Sequence, residues 1–318
     1  MLPTLPSPIE FIKNDVLSAL NITLYIKRDD LIHADICGNK WRKLMYNVAG
    51  CKKKGNQPLL TFGGAFSNHI YATAAAGKVY DIKTIGIIRG EATNPLSTTL
   101  QFAQSQGMTL RFVSREAYRD KDIVLENLRK EYDDIYCVPE GGANTEGVKG
   151  CMDIVFETQQ QLPVQPNYWC VPCGTGTTFT GIRQAAANNQ KCLGFSALKI
   201  DNWDNDLKKI QNADGTSRGN REGVFNWANG EIISNYHFGG YTKWQPELIH
   251  FINDFKGKYN IPLDPIYTGK MMYGIFDLVK KGYFERGSTI VAVHTGGLQG
   301  IDGFNNLKLK NKGLRINT

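Results

Sequence analysis

Short apolar runs rich in β-branched residues alternate along this chain with longer stretches of helical periodicity. Leu59 to Phe62, Thr84 to Ile88, Thr109 to Val113, Ile135 to Val138, Tyr168 to Val171, Gly194 to Ala197 and Thr289 to Val293 read as buried strands, and Leu24 to Lys27 as a shorter one. Between them a period near 3.6 predicts helices at Asn68 to Val79, Leu96 to Ser105, Ile123 to Glu131, Glu146 to Gln160, Thr178 to Ala187, Pro246 to Lys258 and Lys270 to Lys281. Strand and helix taking turns implies right-handed crossovers, and so parallel sheets with helices on both faces. A chain of 318 residues with 42% hydrophobic content is long enough for two lobes. The expected fold class is therefore α/β, in two domains, each with a mostly parallel sheet. No internal repeat or low-complexity linker marks a boundary between them.

Ligands of such folds collect beyond the carboxyl ends of the strands, which directs attention to the loops entering the helices. Three are small and polar: Phe62-Gly63-Gly64-Ala65-Phe66-Ser67-Asn68-His69, Cys173-Gly174-Thr175-Gly176-Thr177-Thr178 and His294-Thr295-Gly296-Gly297. The second reads either as a phosphate cup, with unpaired N–H groups and threonine hydroxyls at a helix start, or as a tight turn that needs glycine. It lacks the spacing and lysine of a Walker loop, and Phe179 stands where a dinucleotide fingerprint needs Gly or Ala. Ser67, Asn68 and His69 offer a hydroxyl, an amide and an imidazole within one turn, suited to a carboxylate; the plain alternative is an N-cap serine. As a hydrolase nucleophile Ser67 lacks the G-x-S-x-G elbow. Tyr267 precedes a helix and is a candidate acid if it lies beside a reactive amine. Asp29 and Asp30 read as capping or ion-pairing carboxylates in the absence of a further ligand cluster.

Cys37-Gly38-Asn39-Lys40-Trp41-Arg42-Lys43-Leu44 places Lys40 between a permissive turn and an amphipathic helix. A lysine with the ordinary pKa of about 10.4 is inert toward carbonyls at neutral pH unless it is desolvated or set beside other cations. Arg42 and Lys43 are such cations, and Gly38 and Asn39 allow close approach of a ligand. An isolated triplet of this kind is commonly a solvated helix start, so the loops above decide its meaning.

Composition removes other classes. The net charge is +7 and the pI about 8.9, but the basic clusters at Lys52 to Lys54 and Lys308 to Arg315 carry no interleaved aromatics, so no nucleic-acid partner is expected. Seven cysteines without framework spacing argue for a reducing compartment. Cys170 and Cys173 form a C-x-x-C with no second pair nearby, so packing is expected there and no metal. Met1 to Glu10 carries three prolines and no apolar core, and no run approaches a membrane span. A cytoplasmic protein without a membrane partner is the expectation.

A lysine for an imine, a cup for a phosphate and a loop for an amino-acid carboxylate together describe pyridoxal phosphate chemistry. The chain resembles the family of D-cysteine desulfhydrases and 1-aminocyclopropane-1-carboxylate deaminases, within the fold of the tryptophan synthase β-subunit. The resemblance spans nearly the whole length and includes Leu24 to Leu31, Gly38 to Leu44, Ser67-Asn68-His69, Gly174 to Thr178, Tyr267 to Lys270 and His294 to Gly297. It implies pyridoxal 5'-phosphate as cofactor, in an imine with Lys40. It further implies that Lys43 and the loop Gly174, Thr175, Gly176, Thr177 and Thr178 hold the phosphate, that Asn68 bonds the phenolic oxygen and that Thr295 faces the ring nitrogen. Ser67, Asn68, His69 and Tyr267 would meet the substrate, with Lys40, Ser67 and Tyr267 catalytic. Residues 44–151 would form a small domain inserted into a large one made of 1–43 and 152–318, and the protein would be a homodimer. The deaminases carry Gln, Glu and Leu where this chain has His69, Thr268 and Thr295, the desulfhydrase pattern at all three. A threonine rather than a carboxylate at the ring nitrogen suits elimination of a good leaving group. The expected reaction is thus α,β-elimination on a D-amino acid, foremost D-cysteine to pyruvate, sulfide and ammonia. Deamination of 1-aminocyclopropane-1-carboxylate to 2-oxobutanoate is the alternative, with β-chloro-D-alanine and D-serine as further substrates and a non-catalytic cofactor-binding protein as a different class. Cys37 replaces a common glycine and Tyr71-Ala72 a usual Arg-Gln, which reshapes the substrate pocket.

Overall fold

The computed structural model describes residues 2–132, 134–200, 202, 203, 207, 210 and 229–317. One sheet has six strands in the order β1 (Ile9–Phe11), β2 (Thr23–Lys27), β10 (Thr289–Val293), β7 (Tyr168–Cys173), β8 (Lys191–Ser196) and β9 (Gly230–Ile233). All its pairings are parallel except β1 with β2, where Ile9 faces Lys27 and Phe11 faces Tyr25. The central strands β10 and β7 are buried along their whole length, which is why they read as unbroken apolar runs. The second sheet orders β5 (Thr109–Val113), β4 (Thr84–Arg89), β3 (Leu59–Gly63) and β6 (Tyr136–Val138), all parallel. Each strand expected from the sequence is present, but β5, expected to be buried, is an edge strand with none of its residues buried, and β8 starts earlier than its apolar run because exposed Lys191 opens it. The half-exposed β1 and the four-residue β9 lack a sufficient run and were not expected.

The two expected boundaries, 43/44 and 151/152, fall inside helices α2 (Asn39–Lys53) and α6 (Thr145–Gln161). These helices pack on each other, α2 also on α3 (Asn68–Tyr80) and α6 on α7 (Thr177–Ala185). A helical bridge needs no linker composition, which explains the unbroken pattern of the sequence. Beneath the first turns of α2 lies a buried ionic network. Arg42 donates to Asp29 at 3.0 and 2.8 Å and to Glu157 at 2.8 and 3.0 Å, while Lys27 bonds Glu157, Gln161 Oε1 (2.6 Å) and the Ser7 carbonyl (2.7 Å). Ser7 Oγ donates to Asp29 at 2.7 Å, so each buried charge finds an opposite one or a dipole. Asp30 takes a two-pronged bond from Arg28 at 2.9 and 2.7 Å, and the two aspartates are thus ion-pairing groups as the sequence suggested. Cys170 and Cys173 lie in different core clusters on opposite faces of β7, an arrangement in which they cannot share an ion. Among the described residues no helix is long and apolar enough to cross a membrane.

Candidate active site

At the carboxyl ends of strands from both sheets lies a cavity of about 460 Å³. Of the site residues expected from the sequence, all line it except Thr177, whose hydroxyl is 3.0 Å from Thr175 Oγ1. The cavity is built where α2 begins. Gly38 has φ 64°, and a Cβ there would lie 2.0 Å from the Thr295 carbonyl oxygen, so only glycine admits this approach. Its N–H donates to the Asp29 carbonyl at 2.8 Å, and the Asn39 N–H points to the Thr295 carbonyl at 3.4 Å. Lys40 is thereby set on the second residue of the helix, opening on the cavity. Burial, and then Lys43, lower its pKa to about 7. Its amine is substantially neutral at physiological pH, the state that attacks carbonyls.

The cup lies one turn along. Lys43 is buried and donates to the Gly141 carbonyl at 3.1 Å, and Gly141 packs on Thr175. Gly176 caps α7 with φ 88°, and a Cβ there would meet Leu207 at 2.4 Å. The N–H groups of residues 177–179 open α7 without intrahelical acceptors, and Asn39 Nδ2 ties the cup to α2 through Thr178 Oγ1 at 3.0 Å. Both readings of this loop hold together, since the turn that needs glycine also presents the donors.

Ser67 caps α3, its Oγ accepting from the N–H groups of His69 (3.2 Å) and Ile70 (3.3 Å). With the lone pairs so used, the hydroxyl proton is free to donate into the cavity, as an anion requires. His69 is 2% exposed, and neither ring nitrogen has a hydrogen-bond partner among the described residues. Burial, with Lys40 and Lys43 nearby, keeps its pKa well below the usual histidine range, so the ring is neutral. Such a buried, unpartnered imidazole facing a cavity is ready for a ligand. Behind the Thr295 loop His294 Nε2 lies 2.7 Å from the Pro262 carbonyl, to which it donates, and Nδ1 lies 3.3 Å from both the Gly296 N–H and Asp30 Oδ1, which fixes the loop.

Tyr267 reaches the cavity from the start of α9 (Thr268–Lys280), which follows α8 (Pro246–Tyr259); burial and the neighbouring Tyr241 hold its pKa well above the usual phenol value. It remains a proton donor. Asp264 and Tyr241, which the sequence did not single out, and Lys270 from the quoted motif support this wall. Asp264 accepts from the N–H groups of Ile266 (2.8 Å), Tyr267 (2.9 Å) and Thr268 (2.8 Å) and from Thr268 Oγ1 (2.7 Å), which fixes the backbone of Tyr267. Tyr241 also lines the cavity, its ring 6.4 Å from that of Tyr267. Lys270 is buried and donates to the carbonyls of His237 (2.9 Å) and Gly240 (2.8 Å), holding the loop that presents Tyr241. The aspartate four residues before Thr268 was a legible capping signal; Tyr241, in an aperiodic loop, gave none. Thr268 itself is fully buried in this cap and does not line the cavity, so its hydroxyl positions Tyr267.

A lysine near neutrality, an orphaned buried imidazole and a glycine cradle backed by a second buried lysine fit an aldehyde-bearing phosphate ester such as pyridoxal phosphate. Comparison agrees with the chemistry: the chain belongs to the pyridoxal-phosphate dependent enzyme family, whose model matches residues 4–296. It is 30% identical over 306 residues to a Pyrococcus horikoshii protein named "Putative 1-aminocyclopropane-1-carboxylate deaminase", covering 92% of this chain and 90% of that one. It is 28% identical over 301 residues to the mitochondrial bifunctional D-cysteine desulfhydrase/1-aminocyclopropane-1-carboxylate deaminase of Arabidopsis thaliana, covering 87% and 73%. A solved structure described as an ACC deaminase homologue superposes with a TM-score of 0.78 at 28% identity, over 96% of this chain and 95% of that one.

Proposed function

We propose that this protein is a lyase that performs α,β-elimination on a small D-amino acid, with D-cysteine as the foremost substrate. The observation that carries the reading is Lys40, an amine brought to about 7 by burial and Lys43, in one cavity with a free Ser67 proton and the protonated Tyr267. Pyridoxal phosphate supplies, when bound, a sink for the electron pair left at Cα. Lys43 and the N–H groups of residues 177–179 would hold its phosphate, and the Asn68 amide, which lines the same cavity, would bond its ring. Ser67 Oγ donates to the substrate carboxylate, and the neutral His69 offers a second donor beside it. The Lys40 amine takes the Cα proton, the Cβ–S bond breaks, and the Tyr267 hydroxyl gives its proton to the departing sulfur. With one water the products are pyruvate, hydrogen sulfide and ammonia.

The choice of a good leaving group rests on Thr295. The carboxylates lining the cavity among the described residues are Asp35, which accepts from Tyr71 at 3.0 Å, and Glu140, while Thr295 itself brings a hydroxyl to its wall. The names of the two relatives favour a second reading, deamination of 1-aminocyclopropane-1-carboxylate. Parallel assays separate them: sulfide and pyruvate from D-cysteine are expected, and 2-oxobutanoate from the cyclopropane acid with no sulfide from D-cysteine overturns the first reading.

A further inference from the structure

A second cavity, about 510 Å³, adjoins the first, and the two share Gly64, Ala65, Phe66 and Arg89. Its remaining walls are Arg115, Tyr118 and Arg119. Three guanidiniums therefore line a hollow that opens on the cavity of Lys40. Among the described residues none of them has a carboxylate within 4.0 Å. Glu140, which lines the first cavity, is held by Lys121 at 3.2 Å.

The floor of the hollow is as telling as its charge. Tyr118 is 4% exposed, and its buried hydroxyl has the Glu140 carboxylate as its charged neighbour. Arg89 lies over the ring of Tyr118, with its guanidinium carbon 5.5 Å from the centroid, a contact that leaves the in-plane N–H groups free. A flat fork of unpaired donors recognises an oxyanion. Arg89 ends β4 next to the loop that carries Ser67, and its Nη2 comes 3.6 Å from the place a Cβ on Gly64 would occupy. The guanidinium thus stands at the passage between the cavities.

We infer that the second cavity extends the active site and takes a distal acidic group of an amino-acid ligand, read by Arg89 with Arg115 and Arg119. This rests on the reading that the first cavity binds the amino-acid end, and it names the class of side chain preferred there: unbranched, and ending in a carboxylate or a comparable oxyanion.

The test uses the holoenzyme and two ligands without a leaving group at Cβ, D-2-aminoadipate and D-norleucine, alike in length but ending in carboxylate and methyl. Titration calorimetry is expected to give at least tenfold tighter binding of D-2-aminoadipate. Arg89→Gln, Arg115→Gln and Arg119→Gln, all at exposed positions, should each cut that preference at least threefold and leave D-norleucine within twofold. Equal binding of the two ligands, no binding of either, or a preference untouched by all three variants overturns the inference. Glutarate binding to the D-norleucine-loaded enzyme as tightly as D-2-aminoadipate binds the free one also overturns it, since the hollow then takes a free anion. If D-cysteine releases no sulfide while the preference and its arginine dependence hold, the assigned reaction fails and the inference stands.

Discussion

Burial lowers the pKa of Lys27, Lys43 and Lys270 as well as that of Lys40, but of the four only Lys40 also has a second lysine acting on its amine. Burial and Lys43 disfavour the charged form, which brings the pKa to about 7 from an ordinary 10.5. The sign of the consequence follows: the reactive neutral amine gains as pH rises through about 7, some three units below an exposed lysine. Competitive labelling of the unloaded protein with acetic anhydride, read by mass spectrometry on the Lys40 peptide, should show half-maximal reactivity near pH 7. A midpoint near 10 would remove the basis of its role. Ser67 allows a complementary prediction. Ser67→Ala loses both the cap of α3 and the proton for the carboxylate, so KM for D-cysteine should rise at least tenfold. Ser67→Asn, which keeps a capping oxygen, should restore stability to urea without restoring KM. Lys40, Ser67 and Asn68 were legible in the sequence because their chemistry is local, a residue type next to a turn. His69 was legible as a type, but its burial between two lysines was not, since Lys43 approaches it from another helix.

Elements, rather than single side chains, set where Tyr267 and Tyr241 point. Asp264 holds the first turn of α9 with four bonds to one carboxylate, and Lys270 on the same helix ties down the Tyr241 loop. Asp264→Ala should lower stability by about 2 kcal/mol, as loss of a well-placed cap does, and reduce kcat more than KM changes because Tyr267 swings with the helix start. Urea unfolding beside steady-state kinetics checks both, and unchanged kcat would show that the cap has no bearing on the chemistry. Strands such as Thr109–Val113 and Thr289–Val293 coincide with their apolar runs, since β-branched residues between turn signals leave few alternatives. β9 escaped notice because its four residues pair with β8 through backbone bonds that no hydrophobic period announces. Thr268, which the sequence grouped with His69 and Thr295 at the site, turns out to serve α9. Residue identity near an active site does not by itself say which way a side chain faces.

Across the molecule, the two sheets meet through α2 and α6, and the Asp29–Arg42–Glu157–Lys27 network lies at that junction. Burial alone would raise the Glu157 pKa, but Arg42 and Lys27 outweigh it and bring it to about 2, against 4.5 for an unperturbed group. A carboxyl whose folded pKa is depressed contributes its stability fully above pH 4.5 and loses it as pH falls toward 2. Glu157→Gln should accordingly cost roughly 3 kcal/mol near pH 7, and the gap to the unaltered protein should close between pH 4.5 and 2. A gap that does not change with pH would mean that the network acts by shape and not by charge. No sequence pattern announces this network, whose members at positions 27, 29, 42 and 157 are joined only by the fold. The same junction holds the start of α2, and with it Lys40, against the loop of Thr295. The most direct test of the account is therefore made on the assembled holoenzyme, which should absorb in the visible as an imine. Borohydride reduction should leave the cofactor on the peptide that contains Lys40, and Lys40→Ala should lose the band. A band that survives in Lys40→Ala, or a reduced cofactor on any other lysine, would contradict it.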